Sequence, residues 1–256
     1  MMGLFDQPWT LFGVLFAVLL VLVEVGHRIG LQLSVDTDEV RHEQLVGARD
    51  GISVLMSLLL GFTLAMTLSR YDVRKQLIVE EANAIGTTSL RAQMLPDAAH
   101  SKMLELLREY VDARVAFSNA GLQGTQLAQS LAHAKQLQSE MWQQSVEVAR
   151  QSPTAITSIF VQALNEAIDL SEKRLAMLEN RVPSAIWVML LLISLLTCLT
   201  VGLTVRRRFW YVMALPPLMI AIVMALVADL NSPRTGTIQI GQESMKRVQE
   251  DLRGMR

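Results

Sequence analysis

Apolar residues in this chain arrive in long blocks, without the alternation of a half-buried strand. Four stretches, 7–23, 51–69, 182–205 and 209–228, contain no charged residue. About 20 mainly apolar residues carry an α-helix across the hydrocarbon of a bilayer. The pattern therefore predicts four transmembrane helices, over 7–30, 51–69, 182–205 and 209–230. The first reaches full length if Glu24 sits near a membrane face and His27 and Arg28 enter the headgroups. Its leading residues, 1–10, hold no Lys or Arg, so it reads as a retained helix and not as a secretory signal.

Residues 70–181 are polar, poor in glycine and proline, and predict an extramembrane helical bundle. Breaks are expected at Leu95-Pro96, at Gly121 to Gly124 and at Ser152-Pro153, with Ser152 as an N-cap. Leu104, Leu107, Val111 and Val115 recur at helical spacing, and so do Ile156, Ile159, Phe160 and Leu164. The Gln- and Ala-rich stretch 122–144 predicts a solvated outer helix. Nothing interrupts the chain between Ser69 and Glu80, so the second span should run on into the bundle. A short loop is expected over 31–50. In the tail, 231–256, a turn at Asn231-Ser232-Pro233-Arg234-Thr235-Gly236 precedes an extended piece, 237–240, and a short polar helix from Gln242 to Leu252. The fold class is an all-α membrane protein, two transmembrane hairpins flanking a helical bundle.

Composition agrees: 51% of the 256 residues are hydrophobic and only 18% charged, against about a quarter charged in soluble domains. Mean hydropathy is +0.33. With 23 basic and 24 acidic residues there is no basic excess for nucleic acid. The single cysteine, Cys198, excludes an internal disulfide or a thiolate metal cluster. Metal-ligand spacing is missing around His100 and His133, and no P-loop, nucleophile elbow, zinc-protease motif or dinucleotide fingerprint occurs. No cofactor and no enzymatic activity are expected.

Candidate sites cluster at the spans. Ser53, Ser57, Gly61, Ala65 and Ser69 recur every fourth residue, either as a close-packing seam or, with Thr63 and Thr67, as a polar channel lining. Ser194, Cys198 and Gly202 form a similar row, expected to meet the second span, while Gly26 and Gly30 suggest close contact with another helix. Glu24 and Arg28 share a helical face as an ion pair or an intramembrane site. Asp229, at the end of the fourth span, is a cap for the exit turn or a pore-mouth carboxylate. Arg70, Asp72, Arg74, Glu80, Glu81, Asn83 and Arg91 form the densest polar region, with Arg70 and Arg74 as interfacial anchors. Glu80 or Glu81 has Arg91, Arg174 and Arg181 as prospective partners. The turn Arg206-Arg207-Arg208, with Arg28, Arg41 and Arg49, places the short loops in the cytoplasm and 70–181 outside it.

The run Gly61-Phe62-Thr63-Leu64-Ala65-Met66, then Ser69-Arg70-Tyr71-Asp72-Val73-Arg74, resembles a known family. So do Glu80-Glu81-Ala82-Asn83-Ala84-Ile85-Gly86-Thr87, Leu90-Arg91-Ala92, the arginine turn, and Asp229-Leu230-Asn231 with Pro233, Gly236 and Ile238. Together they resemble the bacterial bestrophin-like domain family, whose function is not established. That resemblance implies remote kinship with bestrophins, which are pentameric anion channels. Its implications are a bacterial inner membrane, a lipid bilayer and other copies of the chain as partners, and small ions as cargo. The alternative is a non-conducting bundle that binds a partner or senses an envelope condition. True bestrophins keep their large domain in the cytoplasm, whereas the arginines here argue for the opposite.

Overall fold

In a computed structural model of the chain, described over residues 7–33, 39–119, 124–233 and 236–255, every regular element is helical. The helices are α1 (Pro8–Gln32), α2 (Glu39–Ala92), α3 (Asp97–Asn119), α4 (Gly124–Gln151), α5 (Ala155–Glu179), α6 (Ser184–Thr204), α7 (Trp210–Asn231) and α8 (Glu243–Gly254). Four of them hold apolar stretches long enough to cross a membrane: α1, α2, α6 and α7. The chain divides into two compact units, Met1–Tyr71 with Arg181–Gln239, and Asp72–Asn180 with Ile240–Arg256.

In the apolar unit, α1 packs on α6 and α7. Proline opens α1, where its missing N–H costs nothing. The buried stripe of α1 is Leu11, Leu15, Leu19, Val23, Gly26, His27 and Gly30, the spacing of one helix face. Leu190 and Cys198 of α6, with Ala221, Met224 and Val227 of α7, complete that core. Pro216 and Pro217 lie inside α7, which continues through them. At the other end of α1 the His27 Nδ1 lies 3.1 Å from the Val205 carbonyl.

The second helix is longer than its apolar block. It begins at Glu39, so the loop expected over 31–50 gives way to helix from that residue. Its 54 residues span about 80 Å at 1.5 Å per residue. No residue from Glu39 to Ala92 is a proline, and the helix runs unbroken past Ser69 into the polar unit.

The polar unit is a helical bundle. Leu104, Leu107, Tyr110 and Val111 of α3 pack with Met141 and Val148 of α4, with Phe160 and Leu164 of α5, and with Ile85 of α2. Helix α4, read as an outer helix, buries one stripe: Ala134, Leu137, Gln138, Met141, Ser145 and Val148. The spacing of three and four residues is that of one face of a helix. Ile156 and Ile159 of α5 are exposed, and the buried face passes through Thr157, Phe160, Ala163, Leu164 and Ala167. The N-cap of α5 is Thr154, whose hydroxyl accepts from the Thr157 amide at 3.2 Å. Ser152 supplies its carbonyl to the Thr157 hydroxyl at 2.8 Å. Of the expected breaks, 120–123 lies outside the described residues, as do Arg234 and Thr235 in the tail.

The tail is shared between the units. Residues 237–240 form no strand, and the amides of Thr237 and Ile238 bond to Asp229. Helix α8 buries Met245 and Leu252 in the bundle core. Arg108 of α3 donates to the Leu252 carbonyl at 2.8 Å, and Gln249 to the Asp112 carboxylate at 2.6 Å.

Candidate functional site

Three arrangements carry chemistry, two in the apolar unit and one in the polar unit. The first is the two-sided α2 helix. Its buried face is Met56, Leu60, Thr63 and Thr67. Thr63 and Thr67 donate their hydroxyls to their own helix, to Leu59 O at 2.7 Å and to Thr63 O at 3.0 Å. Being buried, they belong to the chain's own core, apart from the exposed small-residue row. That row lies on the other side: Ser53 is half-buried, while Ser57, Gly61, Ala65 and Ser69 are exposed. A Cβ placed on Gly61 meets no atom within 4 Å. The row is not a seam within the chain.

Close helix approach occurs elsewhere. Gly26 and Gly30 of α1 face the backbone of α6, and Gly202 of α6 faces α1. Thus the Cys198–Gly202 end of the third-span row meets the first span, not the second. Ser194 reaches α2. Its hydroxyl donates to Leu190 O at 2.6 Å and lies 3.8 Å from the Met56 sulfur.

Charged groups gather at both ends of the apolar unit. Glu24 takes the Arg28 Nε at 2.9 Å and an Arg208 N–H at 2.9 Å, while Arg206 pairs with Glu39 at 3.1 Å and Arg207 is exposed. At the other end Asp229 is buried and accepts three hydrogen bonds: from Thr237 N at 2.6 Å, Thr237 Oγ1 at 2.8 Å and Ile238 N at 3.0 Å. A carboxylate so surrounded holds the exit turn closed. Gly236 makes this possible, since a Cβ there would stand 2.6 Å from the Asp229 Oδ1 and 2.7 Å from its carbonyl oxygen. Asn231 accepts from the Val182 amide at 2.8 Å, fastening the start of α6 to the end of α7.

The third arrangement is the buried charge centre of the bundle. Glu81 of α2, Arg114 of α3 and Arg174 of α5 are 0%, 2% and 5% exposed. Arg114 grips the carboxylate through two nitrogens, at 2.6 and 3.0 Å, and Arg174 adds a third bond at 2.8 Å. Arg174 also donates to Ser118 Oγ at 2.8 Å and to Gln242 Oε1 at 3.0 Å, so four segments meet here. Burial opposes the charge on both arginines. For Arg114 the attraction and hydrogen bonding of Glu81 prevail and hold its guanidinium above the ordinary value. For Arg174 burial wins, helped by repulsion from Arg114, and its guanidinium is held below the ordinary value. One carboxylate between two guanidiniums leaves one net positive charge. A neighbouring tie joins α3, α4 and α5, with Gln138 donating to Tyr110 Oη at 3.0 Å and to Ser171 Oγ at 2.6 Å. Burial, then the Glu81 charge, push the Tyr110 phenol up.

The remaining motif residues do not join this centre. Asp72 and Asn83 are exposed, and Arg70 is half-buried. Glu80 accepts from Gln76 at 2.7 Å, and Arg91 donates to the Ile159 carbonyl at 2.8 Å. Arg74, expected as an interfacial anchor, is buried. Arg114 was not singled out from the sequence, although it lies seven residues after Leu107 and three after Val111, on the core stripe of α3. A charge on a core stripe is the signal that would have found it.

These features define a multi-pass, all-α membrane protein that joins an apolar helical unit to a polar bundle. The chain belongs to the Bestrophin-like domain family, whose model matches residues 13–245. Solved structures share the fold at low identity. A variant of a bacterial bestrophin homolog from Klebsiella pneumoniae is 14% identical, covers 94% of this chain and 98% of its own, and has a TM-score of 0.69. A second variant from that organism is 16% identical, covers 93% and 98%, and has a TM-score of 0.67. A form solved by zinc-based phasing is 15% identical over 95% and 98%, with a TM-score of 0.67. No curated protein matches the chain.

Proposed function

We propose that the chain is one subunit of a homo-oligomeric ring that passes small ions, a transport and not a catalytic protein. The observation that carries this reading is the outward face of α2. Ser57, Gly61, Ala65 and Ser69 are small or hydroxyl-bearing, lie on one span and are exposed, and a Cβ on Gly61 meets no atom of its own chain within 4 Å. Lipid gains little from such a face, whereas a second backbone or a hydrated axis gains close approach and hydrogen-bonding groups. Kinship with the bestrophins, which are ring-forming channels, supports the same reading. Its test is ion flux through the purified protein in liposomes, with oligomer mass taken from the same preparation. Flux from a closed ring supports it. No flux from a monomer or dimer sinks it and leaves a non-conducting bundle that binds a partner. Gly61→Leu separates assembly from folding, because space is open around Gly61 within the chain. The variant should keep its helix content and melting temperature while losing ring mass, and an unchanged mass would remove α2 from the interface.

In this reading the four spans form two hairpins, α1 with α2 and α6 with α7, in the bacterial inner membrane. The start of α2, which carries Arg41, and the short connection with Arg206 to Arg208 lie in the cytoplasm, and the bundle lies outside it. Cys198 is fully buried, so Arg207→Cys supplies the single reactive thiol for a test. A membrane-impermeant maleimide should label it in opened cells and not in intact ones. Labelling of intact cells reverses the orientation.

A further inference from the structure

A groove of about 680 Å³ opens along the outside of the apolar unit between α1 and the start of α7. Its walls are apolar for most of their length, with Phe16, Leu20, Val21 and Val25 on α1 facing Met213 and Ala214 on α7. One end is charged. There Arg28 and Arg208, with side chains 71% and 64% exposed, share the carboxylate of Glu24, which is 27% exposed. One carboxylate cannot use the donors of two guanidiniums, each of which carries five N–H groups. The cluster is left with one net positive charge and several free donors. Trp210 stands exposed at the same end, the kind of side chain that settles at the headgroup level. The charged end coincides with the last turns of α1 and the first of α7, where the apolar blocks stop.

We infer that this groove binds an anionic phospholipid, its phosphate on Arg28 and Arg208 and an acyl chain along the α1–α7 wall. Charge complementarity selects the headgroup. Guanidinium forks match phosphate oxygens bidentately, and a zwitterionic headgroup brings a cation toward two arginines. A free phosphate has no use for the apolar wall, which continues from the charged end between the two helices. Glu24 keeps the two arginines side by side and sets the spacing at which one phosphate bridges them. The proposal does not depend on ion conduction.

The test is native mass spectrometry of the full chain in mild detergent, with dioleoylphosphatidylglycerol or dioleoylphosphatidylcholine added at equal concentration. Each guanidinium near an anionic headgroup is worth roughly fivefold in binding, so phosphatidylglycerol should be retained at least about fivefold more strongly. The double variant Arg28→Gln/Arg208→Gln should lose that preference. Ala214→Trp narrows the groove with both guanidiniums intact and should lose retention of phosphatidylglycerol while still melting as a folded protein. Equal retention of the two lipids by the wild type overturns the inference without recourse to any variant. Undiminished phosphatidylglycerol binding in Ala214→Trp also overturns it, as does complete displacement of the lipid by millimolar inorganic phosphate. Either would show a simple anion site.

Discussion

Glu81→Ala should cost the bundle roughly 4 kcal/mol, because removing one partner of a buried ion pair leaves the other charge uncompensated. For a chain of this size that is about 10 °C in Tm, measured by circular dichroism in mild detergent. The argument rests on what remains. Arg114 and Arg174 would face each other in the core with no carboxylate, and three of their hydrogen bonds, at 2.6, 3.0 and 2.8 Å, would be lost together. Arg174 would keep only Ser118 and Gln242. Buried ion networks are often replaceable by apolar side chains of similar volume at no loss of stability. The triple variant Glu81→Met/Arg114→Met/Arg174→Met should therefore melt well above Glu81→Ala. It also separates two roles. If the centre only ties helices together, the triple variant regains stability and, in the channel proposed above, any flux measured for the wild type. If its positive charge acts on passing ions, stability returns and flux changes. A Glu81→Ala protein that melts with the wild type would show that the three side chains do not form the network seen here.

The number of apolar helices long enough to span was legible because charge-free length is a property of the chain in one dimension. Which side of a span meets protein is not. On α2 a residue pattern rich in small and hydroxyl-bearing positions on both sides left Thr63 and Thr67 grouped with Ser57 and Gly61. Only the fold shows that the threonines turn inward and bond to their own helix, while the glycine faces open space. The buried stripe of α4 was hard to see for a related reason, because Ala134, Gln138 and Ser145 dilute the hydrophobic contrast of Leu137, Met141 and Val148. Glu81 was visible as a charge in a dense motif, but its partners lie on other helices, and partner choice follows from tertiary packing. Asp229, beside Asn231, reads in the sequence as a cap for the exit turn or as a pore-mouth carboxylate. The donors that fill its carboxylate come from residues eight and nine positions later, beyond the reach of local rules.

Gly202→Ala is the second change expected to have a large effect, and its origin is steric. A Cβ at Gly202 would stand 2.1 Å from the Val23 carbonyl oxygen and 2.8 Å from the His27 nitrogen, both backbone atoms of α1. Side chains can rotate out of such a clash, but a helix backbone cannot. The two helices must separate, and the contacts beside the clash separate with them. Gly26 and Gly30 lie against Leu199 O and Leu203 O, where a Cβ would come within 2.3 and 2.7 Å. In a bilayer no solvent drives helices together, so close approach and dispersion carry the association. Forcing one methyl into such a contact costs roughly 3 kcal/mol, about 6–12 °C in Tm for a chain of this size. The control is Gly61→Ala, for which nothing lies within 4 Å. That change should leave Tm where it is and act, if at all, on oligomer mass. A Gly202→Ala protein that melts with the wild type would overturn the close backbone approach of α1 and α6 at this glycine. A drop in Tm for Gly202→Ala and none for Gly61→Ala would assign the glycines of the spans to two separate tasks. One set brings helices together within the chain, and the other leaves a face open for what lies outside it.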